Sequence, residues 1–151
     1  MVKSLFEEKN YNAIRERLQA LTPENTRQWG KMDAAQMLTH LNIVLEQANG
    51  KVPFKDESNF LSRTLIKWVL LRMIKKGSFG RNAPTVKSFV VADARVFETE
   101  KQRLLGNLKA FYDKGQTGDL PPHPGCGKFS TDEWGTLQHL HLDHHLTQFS
   151  A

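Results

Sequence analysis

The sequence predicts an all-α protein built as a helical bundle. Apolar residues recur every three or four positions through most of the chain, which is the period of a helix with one buried face. Two capping-box patterns mark helix starts, and strand signals are limited to one short stretch at residues 87–91. The predicted helices span residues 6–21, 33–49, 59–76, 93–114 and 131–149.

The first three helices have recognisable ends. The first is broken at Pro23, which cannot continue a helix. Asp33 and Gln36 form a capping box at the start of the second helix, and Gly50 stops it. The third is long and apolar, and we expect it to end before Gly77.

The last two helices flank an irregular connection. We expect Gly115 to stop the fourth helix, because glycine commonly follows the last helical residue. Residues 116–129 are rich in glycine and proline and form a longer loop than most connections. Ser130 and Glu133 form a second capping box, which opens the final helix.

Length and composition indicate one cytoplasmic domain. The chain has 151 residues, of which 39% are hydrophobic and 25% charged, as in ordinary globular proteins. We therefore expect residues 1–151 to form a single domain. Cys126 is the only cysteine and cannot form an internal disulfide, which favours a reducing compartment. The first residues turn acidic before an apolar core builds, so we expect no signal peptide.

The most apolar stretch, residues 65–74, is too short and too charged to span a membrane. Spanning needs roughly 20 apolar residues, and Lys67 and Arg72 interrupt this one. We therefore expect no membrane partner. Because this helix has more apolar residues than one buried face needs, we expect Leu65, Trp68, Val69 and Met73 to pack against the bundle or a second subunit, so a homodimer is a candidate.

The net charge of +5 is concentrated in one part of the chain. Residues 58–92 contain no acidic residue; their basic residues are Arg63, Lys67, Arg72, Lys75, Lys76, Arg81 and Lys87. Such a segment can attract a nucleic acid, an anionic membrane or an anionic ligand. The simpler interpretation is a solvated surface, with Lys75 and Lys76 at the negative end of a helix. No compact basic motif is present, so a nucleic-acid partner is not expected.

Four of the six histidines lie in the final helix. At about 100° per residue, His141, His145 and Gln148 share an arc that we expect to face the bundle, with His144 at its edge. The opposite arc, which we expect to face solvent, holds Thr136, His139, Asp143 and Thr147. Residues one turn apart have Cβ atoms about 5–6 Å apart, close enough for two imidazoles to hold one ion. Taken alone, such a pair is more often two hydrogen-bonded core histidines than two metal ligands.

A third histidine faces inward on the second helix. His40 and Gln36 share the predicted inner face of that helix, and the predicted outer face holds Ala35, Thr39, Asn42 and Glu46. A lone inward histidine is more often packed than a ligand. Together with His141 and His145, however, it can complete a three-nitrogen site, which leaves a position open for water or substrate as in catalytic zinc sites. Imidazole binds metal only when neutral, so we expect protons to compete below its unperturbed pKa of about 6.5.

Two longer motifs carry a family resemblance. Residues 28–41 read Gln-Trp-Gly-Lys-Met-Asp-Ala-Ala-Gln-Met-Leu-Thr-His-Leu, and residues 123–134 read His-Pro-Gly-Cys-Gly-Lys-Phe-Ser-Thr-Asp-Glu-Trp. With the C-terminal His-x-x-x-His-x-x-Gln at residues 141–148, the chain resembles the DinB/YfiT-like superfamily of metal-binding four-helix bundles, in one of its uncharacterised bacterial branches. The likeness is loose over residues 51–92, and Cys126 stands where that branch has an aromatic residue.

The resemblance implies a fold and a metal site. The implied fold is an up-down four-helix bundle, with an extra helix near 59–76, whose four helices are residues 6–21, 33–49, 93–114 and 131–149. The implied site holds zinc or nickel on His40, His141 and His145, with Gln148 close by. Gln36, His144 and His123 are further candidates for its surroundings, although His123 fits a turn-stabilising role better, and Cys126 is a poor catalytic candidate.

The implied activity is a metal-dependent transferase or hydrolase acting on a small molecule. Relatives include enzymes that use low-molecular-weight thiols and metal-dependent hydrolases, and a three-histidine ion suits either chemistry because it lowers the pKa of a bound thiol or water. The alternative is a non-catalytic, metal-binding or metal-free bundle that acts as a stress-associated interaction module.

Overall fold

The computed structural model describes residues 2–53, 59–81, 83 and 87–151. Among these residues the regular structure is helical, with a 3₁₀ turn at Lys87–Phe89 and no β-strand. The five α-helices are α1 (Glu8–Ala20), α2 (Ala34–Ala48), α3 (Phe60–Lys76), α4 (Phe97–Thr117) and α5 (Thr131–Gln148). The all-α prediction is confirmed.

The core forms where four of these helices meet. Helices α1 and α2 each pack against both α4 and α5, and α3 lies on α5. The 3₁₀ turn packs on α2. The largest fully buried side chains come from every one of the four core helices, and they include Ile14, Leu18, Met37, Leu38, Leu41, Leu45, Leu104, Phe111 and Trp134.

Side-chain caps begin three of the helices. Asp33 and Gln36 form the predicted capping box of α2, and Ser130 and Glu133 form that of α5, so both predictions are confirmed. A third box opens α3: the backbone N–H of Ser62 donates to the side chain of Asn59, and the backbone N–H of Asn59 donates back to the Ser62 hydroxyl. The sequence interpretation missed this box because its third residue is Ser rather than Glu or Gln.

The predicted outer face of α2 is wrong, because α4 covers it. Asn42 is fully buried, and its side-chain N–H groups donate to the backbone carbonyl and to the carboxylate of Glu100, each at 2.9 Å. Asn107 donates to the Asn42 side-chain oxygen at 2.8 Å. At the rim, Arg103 binds both carboxylate oxygens of Glu46. The polar residues on this face of α2 form hydrogen bonds and ion pairs with polar residues of α4. Their polarity therefore did not indicate exposure to solvent.

The ends of α4 also differ from the prediction. The helix continues through Gly115 and ends at Gly118, whose φ of 73° lies in the left-handed region. Glycine is required at position 115 because Phe6 packs on it, and a Cβ there would overlap the Phe6 ring. At the other end, the carbonyl of Asp93 accepts a hydrogen bond from the Gln36 side chain, which holds Asp93 outside the helix.

Helix α3 is attached to the bundle by fewer residues than the sequence predicted. Leu70 and Ile74 pack against the core, whereas Leu65 and Trp68 are 62% and 58% exposed and Val69 is exposed as well. Of the two predicted alternatives, packing on the chain's own bundle does not hold for these three residues, because an all-round apolar helix gives no periodic signal for its buried face. Packing against a second subunit stays a prediction. No helix among the described residues combines the length and apolar content that crossing a membrane requires.

The two glycines of α4 provide a matched test of this packing. Gly115→Ala should lower the free energy of unfolding by about 1–3 kcal/mol, because the added methyl group displaces the Phe6 ring from Phe111. Gly106→Ala, with no atom within 4 Å of the added Cβ, should raise it by up to about 1 kcal/mol through helix propensity. Urea unfolding of both variants measures the difference, and equal effects would refute the role assigned to Phe6.

Candidate metal centre

His40 is oriented by a backbone carbonyl. Its buried ring projects from α2, and its Nδ1 lies 2.8 Å from the carbonyl oxygen of Phe89 in the 3₁₀ turn. A carbonyl oxygen only accepts hydrogen bonds, so Nδ1 carries the hydrogen. In the neutral ring, Nε2 therefore keeps its lone pair and points into the protein.

His145 is oriented in the same way by a side chain. Its Nδ1 lies 2.8 Å from Oε1 of Gln148, one turn further along α5. The amide of Gln148 is itself fixed, because its Nε2 donates to the carbonyl oxygen of Trp29 at 2.7 Å. Gly30 permits this approach: a Cβ at that position would lie 2.6 Å from Gln148 Nε2. His145 thus donates from Nδ1 and leaves Nε2 free.

His141 completes the group from the preceding turn of α5. Its Nε2 lies 3.0 Å from Nε2 of His40. Because the His40 nitrogen has a lone pair and no hydrogen, His141 is the donor in this bond. The ring centroids of His40, His141 and His145 lie 4.8–5.0 Å apart in all three pairs.

The spacing of these nitrogens suits a single ion. One ligand atom from each of the three residues can be chosen so that all lie within 4.8 Å of one another. Nitrogens bound to one tetrahedral zinc at 2.0–2.1 Å lie about 3.3 Å apart, so the 3.0 Å pair is close to that distance and His145 needs a small inward movement. A carbonyl-type acceptor on Nδ1, as His40 and His145 each have, is the usual outer partner of a metal-binding histidine. The cluster could therefore hold a metal ion.

Burial keeps the three rings neutral. Burial and, after it, the nearby His40 lower the pKa of His145 to about 3, against the opposing effect of the Gln148 hydrogen bond. Burial and then the neighbouring histidines hold the pKa of His141 well below 6.5. Burial also lowers the pKa of His40, which the Phe89 carbonyl partly offsets. Proton competition in the native protein thus begins well below pH 6.5, lower than the sequence predicted.

A small cavity lies beside the cluster. It has a volume of about 140 Å³, and its walls are Trp29, Gly77, Ser78, Phe79, Leu140, Asp143, His144 and Thr147. The Phe79 ring contacts both His141 and His144, at centroid distances of 5.8 and 5.9 Å. His144 also contacts Trp29 and His145. Phe79 therefore stands between the cavity and the three-histidine cluster.

Comparison with known proteins identifies the family. Residues 3–151 match the model of the family described as Protein of unknown function (DUF1569). The chain belongs to the DUF1569 family. No curated protein and no solved structure matches it. The match extends over the whole cluster of this DUF1569 protein, but the family description carries no activity, so functional inference depends on the site.

Two other predicted site residues of the DUF1569 protein lie in different surroundings. Gln36 binds Asp33 in the capping box and Asp93 through its amide, and it does not join the cluster. His123 is in a tight turn, where its Nδ1 accepts from the Gly125 N–H at 3.2 Å and its ring stacks on Phe129. These contacts match the turn-stabilising interpretation of His123.

Cys126 occupies the same turn, and its chemistry agrees with the prediction that it is a poor catalytic residue. Its thiol is buried and forms no disulfide. Burial raises its pKa to about 11, against a smaller opposing effect of Lys67. At neutral pH the side chain is therefore a thiol rather than the nucleophilic thiolate.

The prediction that His139 faces solvent is wrong. Its side chain is 6% exposed, and no described residue hydrogen-bonds its Nδ1. The N-terminal segment covers this side of α5: the Leu5 N–H donates to the Gly135 carbonyl, and a Cβ on Gly135 would overlap Ser4 and Phe6. Residues 134–140 of α5 are thus buried on all sides of the helix, which a two-faced helix pattern does not predict.

Several partners of the cluster were missed by sequence reasoning. The carbonyls of Phe89 and Trp29 act through the backbone, which has no residue-type signature. Nothing in the sequence around Phe79 distinguishes it from an ordinary apolar residue. Gly30, whose φ is 84°, is the residue from which one of these contacts could have been predicted. A glycine in a short motif before a helix can mark a position that another side chain approaches closely.

The buried histidines give the metal-free protein a defined pH dependence. The unfolded chain binds protons near pH 6.5, whereas native His145 does not until about pH 3. Folded pKa values below the unfolded ones mean that stability falls as pH decreases through this window. In chelator, the free energy of unfolding should drop between pH 6.5 and 5, by up to about 1.4 kcal/mol per pH unit for each excluded proton.

Urea unfolding at several pH values measures this slope. His145→Gln removes one excluded proton and should make the slope shallower. Most carboxylate titration lies below this window, and what remains affects the wild type and the variant alike, so the difference between the two slopes reports on His145. An unchanged slope in the variant would mean that native His145 is solvated enough to bind a proton.

Proposed function

We propose that this DUF1569 protein is a divalent-metal-dependent enzyme that acts on a small molecule, with zinc or nickel held by His40, His141 and His145. The observation that carries the proposal is the convergence of three neutral imidazoles, two of which have their outer nitrogens fixed by acceptors. Structural zinc sites are closed by four protein ligands, whereas catalytic sites use three and keep a position for substrate.

The helix packing supports the finer fold proposal. Helices α1 and α2 each contact α4 and α5, which is an arrangement expected of a four-helix bundle. Helix α3 lies outside these four, as an added helix would. We therefore propose a DinB-like bundle in which the metal centre joins the inner faces of α2 and α5.

The favoured reaction is transfer of a low-molecular-weight thiol to an electrophile, and the second candidate is hydrolysis. A divalent ion at this site would lower the pKa of a thiol or a water molecule that it binds. Arg81 favours an anionic thiol: its guanidinium lies 4.5 Å from the centroid of Trp29 in the cavity wall, and the structure gives it no ion pair among the described residues.

The remaining cavity residues have separable roles in this proposal. Burial lowers the pKa of His144, so its neutral ring can accept a proton at the cavity edge. Phe79 lies over His141 and limits the access of bulk water.

Metal binding is the first test. Chelator-treated protein should bind one zinc or nickel ion per chain and melt at a higher temperature with metal, since a ligand of the native state stabilises it by mass action. His40→Ala and His141→Ala should abolish both effects. Gln148→Met should weaken binding about 10–100-fold, because the His145 ring loses its orienting acceptor. Elemental analysis and thermal melts make the measurements.

The control is His144→Ala, which removes a neighbouring histidine outside the three-nitrogen group. It should leave the metal stoichiometry intact. His139→Ala is unsuitable because the ring is buried. If His144→Ala lost the metal while folded His141→Ala retained it, the proposed assignment of the ligands would be wrong.

Turnover is the second test. Zinc- or nickel-loaded protein should form adducts between anionic low-molecular-weight thiols and small electrophiles, and chelation or His141→Ala should lower the rate at least about 100-fold. Gly106→Ala, on the exposed side of α4, should retain the rate. Hydrolysis of esters and amides is assayed in parallel. Stoichiometric metal with neither reaction would favour the alternative, a non-catalytic metal-binding module.

A further inference from the structure

The outward side of α3 is an apolar ridge on the protein surface. Its members, which we call the α3 ridge, are Leu61, Leu65 and Trp68, with exposed fractions of 79%, 62% and 58%. The positions are four and three residues apart, so they form one continuous stripe along the helix. Phe60, 86% exposed, extends the apolar surface at the N-terminal end.

The ridge is distinct from the side of α3 that belongs to the fold. Leu70 and Ile74 lie on the opposite arc and pack against the core. The helix therefore has two apolar faces, and only one is used within the chain. Exposed apolar surface of this extent normally marks an interaction site.

The charged side chains of α3 itself have one sign. Helix α3 contains no acidic residue, and its basic residues are Arg63, Lys67, Arg72, Lys75 and Lys76. Arg72 lies on the ridge itself, with its guanidinium 5.5 Å from the Trp68 ring. Lys75 and Lys76 are exposed at the C-terminal end. A partner must therefore combine an apolar interior with an anionic rim.

Two classes of partner fit this surface poorly. A second copy of the chain, related by two-fold symmetry through α3, would place the same cations against each other with no acid from the helix to pair them. A nucleic acid would meet the cations, but its phosphate backbone gives the leucines and the tryptophan no apolar contact.

We propose that the α3 ridge is a docking surface for an anionic lipid bilayer, which would replace the expectation from the sequence that the protein has no membrane partner. The helix is about 25 Å long and lies parallel to the bilayer surface, with Leu61, Leu65 and Trp68 at the boundary between headgroups and acyl chains. Arg72, Lys75 and Lys76 reach the anionic headgroups. Tryptophan, leucine and flanking basic residues on an exposed helix are the combination that favours this interfacial position.

Vesicle co-sedimentation of the 151-residue protein tests the proposal. The protein should sediment with vesicles of phosphatidylcholine and phosphatidylglycerol, only weakly with phosphatidylcholine alone, and less as salt rises. The double variant Leu65→Ser, Trp68→Ala should bind at least about tenfold more weakly. Both positions are exposed, so its helix content and zinc or nickel stoichiometry should match those of the wild type.

Matched controls separate the ridge from general charge and hydrophobicity. Lys75→Glu, Lys76→Glu should reduce binding, whereas Lys9→Glu, Lys31→Glu makes the same change in net charge at exposed sites elsewhere and should retain most of it. Val96→Ser removes an exposed apolar residue outside α3 and should have no effect.

Any of four results would overturn the proposal. The wild type could fail to bind anionic vesicles, or the Leu65→Ser, Trp68→Ala variant could bind them as well as the wild type does. A dimer in light scattering that this variant abolishes, without vesicle binding, would assign the ridge to a second copy. A salt-sensitive shift of DNA or RNA without vesicle binding would assign it to nucleic acid.

Discussion

Exclusion of charge from a small volume is the constraint on which the site depends. Three imidazoles from two helices share a space in which any proton would be poorly hydrated and close to another ring. Their neutrality leaves lone pairs where hydrogens would otherwise be, and the acceptors on Nδ1 of His40 and His145 decide which nitrogen carries each lone pair. The Phe89 carbonyl and the Gln148 amide thus determine which atoms face the centre.

The buried polar contacts between α2 and α4 serve the same site from a distance. Asn42 follows His40 by two residues, so the two side chains leave α2 in nearly opposite directions. Its hydrogen bonds to Glu100 and Asn107 are buried and directional, and rotation of α2 about its axis would leave these groups unpaired. The network that contradicted the predicted outer face is therefore what holds His40 toward α5.

Sequence reasoning was most successful where local chemistry determines local structure. The capping boxes at Asp33 and Ser130 were readable because the helix start and its cap lie within four residues. The inward direction of His40 and His145 followed from helical period alone. His139, Asn42 and Gly115 were misjudged for a shared reason: each is covered by a segment distant in the sequence, and a period cannot show which side of a helix gains a neighbour. The single-domain prediction stays a prediction.

The hydrogen bond between His40 and His141 also bears on when the chain could acquire an ion. In zinc fingers the ligands have no structure to occupy until the metal arrives, so folding and loading are one event. Here one hydrogen between two nitrogens holds the rings together within an apolar core that owes nothing to the site. Folding can therefore precede metal binding. In a cell depleted of the metal, this chain would be folded, with its metal site intact but empty.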